Sequence, residues 1–144
     1  MPKSKTITVV RQALLLKHWY PESEVEFDHK GLTWSYTLTP HPHCAAYDVR
    51  IEYELGFVPR AYVDKPTLFC PVDVKLPHCN DQVSQWLCLS YQKANDWLSC
   101  MYIARTTVPW ISEWLVHYEV WCVTGTWEGG GFHVGPVPWE RQRA

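Results

Sequence analysis

One cysteine on an irregular stretch of the chain is the residue best suited to covalent chemistry. Cys88 lies in the run Leu-Cys-Leu-Ser at 87–90, eight positions after Asn80 and nine before Trp97. A cysteine is a nucleophile only as the thiolate, and it must be exposed enough for a large substrate to reach it. A cysteine between two leucines is otherwise a small buried hydrophobic residue. Cys88 is therefore a candidate nucleophile, with a structural thiol as the competing interpretation.

The residues around Cys88 occur in an order known from one protein family. His78-Cys79-Asn80 precede Cys88, and Trp97 and a strongly amphipathic segment follow it. This order resembles the active-site segment of ubiquitin-conjugating enzymes, in which a His-Pro-Asn tripeptide precedes the catalytic cysteine at the same Asn-to-Cys spacing. Cys79 stands where that family has proline. The resemblance implies that Cys88 accepts the C-terminal acyl group of a partner protein as a thioester, which an amine of a target then attacks.

The resemblance also gives roles to Asn80 and His78 as site residues beside Cys88. The Asn80 amide could donate to the oxyanion that forms when an amine attacks the thioester, or it could brace the backbone of the Cys88 loop. With cysteine at position 79 in place of proline, the backbone before Asn80 is less constrained. His78 is expected to position the loop rather than to act as a general base, because thioester exchange needs little help from a base.

The C-terminal third of the chain narrows the resemblance. The residues that carry it are Pro109-Trp110, Glu113-Trp114-Leu115, Tyr118-Glu119, Trp121, Thr124-Gly125, Trp127, Gly129-Gly130-Gly131 and His133. They are similar to the C-terminal signature of ubiquitin-conjugating-like proteins from bacterial anti-phage islands, the short type II CBASS systems. The resemblance implies a role in antiviral defence. It also implies a protein partner whose C-terminus is loaded, either a cyclic-oligonucleotide synthase or a ubiquitin-like protein.

No residues suited to activating the donor carboxyl are found in the chain. The glycine cluster at 129–131 does not follow a strand and open a helix, so it is not a nucleotide-binding loop. We therefore expect no cofactor and an activating partner elsewhere.

Three alternatives use the same residues differently. In a cysteine hydrolase, Cys88 would pair with His117 or His133, and Glu119 or Asn95 would orient the histidine. In a non-catalytic binding scaffold, an aromatic belt would dock the partner. That belt consists of Trp110, Trp114, Trp121 and Trp127. A structural zinc site is the weakest alternative, because its candidate ligands lack the usual Cys spacing. Those ligands are His41, His43, Cys44, Cys70, His78 and Cys79.

Composition restricts the class of protein. The 144 residues suit a single domain over 1–144, and the net charge of −2 is not typical of a protein that binds nucleic acid or anionic membranes. We find no secretory signal and no apolar run near the roughly 20 residues that span a bilayer. The six cysteines are therefore expected to be free thiols in a reducing, cytoplasmic environment.

The residue pattern predicts an α+β fold of the ubiquitin-conjugating-like type. A helix over residues 6–19 is expected to place Ile7, Val10, Leu14 and Trp19 on its apolar side, with Arg11, Gln12 and Lys17 elsewhere. Alternating apolar residues then predict an antiparallel meander of three to four strands, over 32–38, 47–55, 61–63 and 72–76. Residues 77–95 lack periodicity and are expected to form an extended active-site flap over the sheet edge. A long amphipathic helix follows, with Thr106 or Thr107 as N-cap, Pro109 in its first turn and Gly125 after its end.

Overall fold

The computed structural model of the protein describes residues 5–89 and 97–128. Within these residues it is an α+β structure in which an N-terminal helix, one antiparallel sheet and a C-terminal helix share one hydrophobic core. The elements are α1 (Val9–Trp19), β1 (Glu24–Phe27), β2 (Gly31–Leu38), β3 (Tyr47–Glu54), β4 (Arg60–Lys65), β5 (Cys79–Asp81), β6 (Trp86–Leu87), a short 3-10 helix (Ile103–Arg105) and α2 (Thr107–Thr124). The sheet has six strands in the order β1-β2-β3-β4-β6-β5.

The meander at the centre of the sheet follows the alternation in the sequence. In β3 the apolar residues are buried and the charged residues between them lie towards solvent. The same alternation places Leu32, Trp34 and Leu38 of β2 in the core. The prediction of antiparallel strands here is confirmed. Strand β1 has four residues, of which three are exposed, so it carries no pattern that would have predicted it.

The strand predicted over residues 72–76 is wrong. Val72 is 88% exposed, and Asp73 has a φ of 63°, a left-handed conformation that a strand does not contain. The amide of Val74 donates to the carbonyl of Pro71 at 3.1 Å, which closes a turn. The segment is therefore a turn, although its apolar residues alternate.

Helix α1 buries a different face from the one predicted. Its buried residues are Val9, Gln12, Ala13 and Leu16, whereas Val10 and Leu14 are 45% and 61% exposed. Gln12 is fully buried because its amide is satisfied by the backbone before α2. Its Nε2 donates to the Met101 carbonyl at 2.8 Å, and its Oε1 accepts from the Ile103 amide at 2.9 Å. A polar side chain in the core thus sets the orientation of this helix.

Helix α2 forms as predicted and supports the segment that carries Cys88. It ends at Thr124, and Gly125 follows in the left-handed conformation with its amide bonded to Trp121. Thr106 is at the N-cap position, but its hydroxyl makes no cap. It donates instead to the Tyr102 carbonyl and accepts from Trp97 Nε1 at 3.0 Å. Trp97, which is 4% exposed, is therefore a core residue that is bonded to the N-cap residue of α2.

Candidate active site

A short two-stranded ribbon brings Asn80 and Cys88 to the same end of the sheet. Strand β5 pairs antiparallel with β6, with Cys79 opposite Leu87, and β6 pairs with β4. The flap predicted over 77–95 thus continues the sheet past β4 within its described part, rather than lying over the edge as irregular chain. An antiparallel ribbon returns the chain to its starting point, so residues eight apart in sequence become neighbours across the turn.

Two hydrogen bonds hold the backbone of this ribbon next to Cys88. The Cys88 amide donates to the His78 carbonyl at 2.9 Å, and Asn80 Nδ2 donates to the Leu87 carbonyl at 3.3 Å. The second bond corresponds to the bracing role expected for Asn80. Cys79 lies in strand β5 and donates its thiol hydrogen to the Asp81 carbonyl, and burial raises its pKa to about 11.

His78 connects the ribbon to helix α2. Its carbonyl also accepts from Trp114 Nε1 at 2.9 Å, in a buried position. The residue is 9% exposed, has a φ of 49°, and its ring lies 5.0 Å from that of Trp127. Its backbone and ring are thus held by the core, which is consistent with the expected positioning role.

Cys88 lines an open cleft of about 260 Å³. The cleft is bounded by Phe57, Val58, Pro59, Arg60, Asn80, Trp86, Leu87, Cys88 and Leu89. Cys88 itself is partly buried, and this burial raises the pKa of its thiol above the ordinary value of 9.0. Burial thus disfavours the thiolate of Cys88, the form in which a cysteine acts as a nucleophile.

The raised pKa of Cys88 predicts how its reactivity depends on pH. Alkylation by iodoacetamide is expected to accelerate about tenfold per pH unit from 7 upwards, because only the thiolate reacts. The rate should level off only above pH 9.0, since the pKa lies above that value. Peptide mass analysis after timed alkylation measures Cys88 separately from the other cysteines. A plateau that is reached below pH 9.0 would contradict the prediction.

Gln85 is a buried clamp beneath the ribbon that sequence reasoning missed. It is 7% exposed and directly precedes β6. Its Oε1 accepts from the Leu68 amide at 2.6 Å, while its Nε2 donates to the carbonyls of Val63 at 2.8 Å and Pro66 at 3.1 Å. No pattern in the sequence marks this residue, because its partners come from a different loop and strand.

Removing the Gln85 clamp is expected to destabilise the protein. Gln85→Ala leaves a buried amide and a buried carbonyl without partners, which should lower the free energy of unfolding by about 2–4 kcal/mol. The matched control is Gln82→Ala. Gln82 also bonds backbone, the Leu76 amide at 3.0 Å, but it is exposed, so water can replace it at a cost of about 1 kcal/mol or less. Denaturant unfolding followed by tryptophan fluorescence measures both. Equal losses for the two variants would contradict the role of burial.

The histidine and carboxylate that a hydrolase would need are engaged away from the Cys88 cleft. His117 Nε2 lies 3.8 Å from Glu113, and its ring lies 6.1 Å from that of Trp127. Glu119 accepts from the Tyr47 hydroxyl at 2.6 Å and from the Ala45 amide at 2.9 Å. Neither residue lines the cleft. His133 and Asn95 lie outside the described residues.

The aromatic docking belt and the zinc site find little support in the described part of the chain. Trp114, Trp121 and Trp127 are buried, and only Trp110 of the belt is partly exposed, so the belt is mainly core. Among residues 5–89 and 97–128, no three metal-ligating side chains come close enough to hold an ion.

Comparison with known proteins assigns the chain to a family. None of the helices in residues 5–89 and 97–128 is both long and apolar enough to cross a membrane. A comparison with curated proteins gives no match. The profile of one family, described as "Type II CBASS E2 protein", matches residues 12–134, which include the whole Cys88 ribbon and helix α2. Since this match covers most of the chain, the protein belongs to the type II CBASS E2 family.

Proposed function

We propose that the protein is a protein-conjugating enzyme with a ubiquitin-conjugating-like fold over its single domain. Cys88 accepts the C-terminal acyl group of a partner protein as a thioester and passes it to an amine of a target, as part of antiviral defence. The observation that carries this proposal is that Cys88 and Asn80 line one open cleft, on a ribbon whose backbone is fixed by hydrogen bonds. The family assignment supports the same chemistry.

The two steps of the reaction exchange one acyl bond for another. The Cys88 thiolate attacks the activated carbonyl of the donor, the new C–S bond forms, and the previous leaving group departs with the electron pair. An amine then attacks the Cys88 thioester, a C–N amide bond forms, the Cys88 sulfur leaves with the electron pair of the C–S bond, and the proton lost by the amine returns the sulfur to a thiol. Each step passes through a tetrahedral oxyanion, which the Asn80 amide can stabilise from within the cleft.

The acyl donor is a protein. The family resemblance favours the C-terminus of a cyclic-oligonucleotide synthase, with a ubiquitin-like protein as the second candidate. The donor carboxyl must be activated before it reaches Cys88, because a free carboxylate is a poor acyl donor. An activated C-terminus supplied by another protein is therefore part of the proposal.

A synthetic peptide thioester tests the proposal even while the natural donor is unidentified. The purified protein is incubated with a short peptide that carries a C-terminal glycine thioester, and intact mass is recorded. We expect one peptide adduct, which maps to Cys88 and is removed by thiol or by free lysine. The absence of any adduct at Cys88 would favour the non-catalytic scaffold. Continuous release of the free peptide acid without an amine present would favour the hydrolase.

A further inference from the structure

We propose that Arg60 selects an acyl donor with an acidic side chain shortly before its reacting C-terminal residue. This inference rests on the proposed function, because it concerns what enters the Cys88 cleft. Arg60 is exposed at the start of β4 and lines the cleft together with Cys88 and Asn80. Among the residues that the structure describes, the others that line the cleft are neutral, and Arg60 is the one that brings a charge.

The Arg60 guanidinium is held towards this cleft by an aromatic ring. Its Cζ atom lies 4.8 Å from the centre of the Trp86 ring, which also lines the cleft. Trp86 in turn lies beside Tyr62, with ring centres 6.4 Å apart, and Arg50 lies over the Tyr62 ring. This stack limits the motion of Arg60, so less conformational freedom is lost when a carboxylate binds it.

The charge of Arg60 remains available to a ligand. Glu52 is its neighbour across the β3–β4 pair, but the Glu52 carboxylate pairs with Arg50, which also binds Asp64. In the described part of the chain, no carboxylate lies within ion-pair distance of Arg60. An acidic side chain of the donor therefore meets no competing internal partner there.

A neighbouring groove lined by carboxylates limits where an acidic residue of the donor can bind. Arg60 forms the border between the cleft and a groove of about 590 Å³ on the other side. Four carboxylates line that groove, from Glu26, Asp28, Glu52 and Glu54. Additional acidic residues further back in the donor would be repelled there. The structure thus favours one acidic side chain close to the reacting end rather than an acidic tail.

Loading from matched peptide thioesters tests this selection. The peptides carry Glu, Gln or Lys at the second, third or fourth position before the thioester and are otherwise identical. Each reacts by exchange, in which the peptide acyl group moves to Cys88 and the small thiol leaves with a proton. Initial rates come from intact mass, after subtraction of any adduct on Cys88→Ala, since exposed Cys122 can also react.

We expect the wild type to load the best Glu peptide about two to five times faster than its Gln counterpart at low salt, as for an exposed charge pair. Arg60→Gln should bring the rates for the Glu and Gln peptides to the same value, and Arg60→Glu should favour Lys instead. The matched control is Arg105→Gln. Arg105 is also exposed and lies over a tryptophan ring, that of Trp19 at 5.4 Å, but does not line the cleft.

Two results would contradict selection by Arg60, and only one of them would also contradict the proposed conjugating function. If the wild type loads Glu and Gln peptides equally, or if Arg60→Gln keeps the preference, the selection is refuted and the conjugating function stands. If no peptide forms an adduct on Cys88, the selection falls together with the proposed function.

Discussion

Cys88→Ser is expected to hold the acyl donor as an ester that survives treatment with thiol, whereas Cys88→Ala should hold no donor at all. Serine keeps a nucleophilic atom at the same place, and its oxygen ester reacts with amines far more slowly than a thioester does. Loss of the nucleophile in the alanine variant should lower covalent loading by at least about 10³-fold. The measurement is a denaturing gel and intact mass of each protein produced alongside the rest of its defence system.

The controls for this prediction separate chemistry from folding. Cys88 is only partly buried, so serine and alanine at this position should leave the unfolding midpoint nearly unchanged. Cys122→Ser alters an exposed thiol outside the Cys88 cleft and should load like the wild type. If the serine and alanine variants capture the same partner in the same non-covalent form, Cys88 has no covalent role and the binding scaffold is the better description.

The central sheet and helix α2 could be predicted because burial repeats along them. In β3 and α2, the spacing of apolar residues along the chain shows directly which face packs against the core. Two features could not be predicted in this way. Gln12 is buried because distant backbone groups satisfy its amide, and residues 72–76 alternate without a neighbouring strand to pair with. Both features depend on contacts with distant parts of the chain, which the periodicity of the local sequence does not reveal.

The Cys88 cleft was predictable in its centre but not in its surroundings. The spacing of Asn80 and Cys88 has a structural reason, since β5 and β6 form a ribbon that returns the chain on itself. Trp114, which binds the His78 carbonyl from α2, and Arg60 from β4 are brought in by the fold. The sequence marked Trp114 only as part of the C-terminal signature and the aromatic belt, and it did not mark Arg60, because the fold and not the local sequence brings both residues to Cys88.

Position 79 carries cysteine where the family tripeptide has proline, and strand β5 forms with this cysteine in it. Cys79 is a strand residue opposite Leu87, and proline has no N–H with which to take part in such pairing. The backbone constraint that proline would provide is here supplied by pairing with β6 and by the bonds of the His78 carbonyl. Asn80 can thus be held in place without the proline of the family tripeptide.

Replacing Asn80 with alanine is expected to slow the discharge of a Cys88 thioester to free lysine by about 10²–10³-fold, the effect of removing one oxyanion donor. Its amide lines the cleft, and its bond to the Leu87 carbonyl is long at 3.3 Å, so the amide can turn to a developing oxyanion at little cost. Single-turnover discharge of a preloaded peptide, followed by intact mass, gives the rate. Asn80→Asp should be equally slow, because a carboxylate cannot donate.

Hydrogen exchange distinguishes catalysis by Asn80 from bracing of the loop. The Cys88 amide is bonded to the His78 carbonyl, so its exchange rate reports whether the ribbon stays closed. If Asn80 stabilises the oxyanion, Asn80→Ala should slow discharge while leaving this exchange rate close to that of the wild type. If discharge falls less than about tenfold while the Cys88 amide exchanges faster, the side chain acts only as a brace. The ribbon would then owe its catalytic geometry to the long-range bonds from Trp114 and Gln85, whose substitution should affect loading and discharge alike.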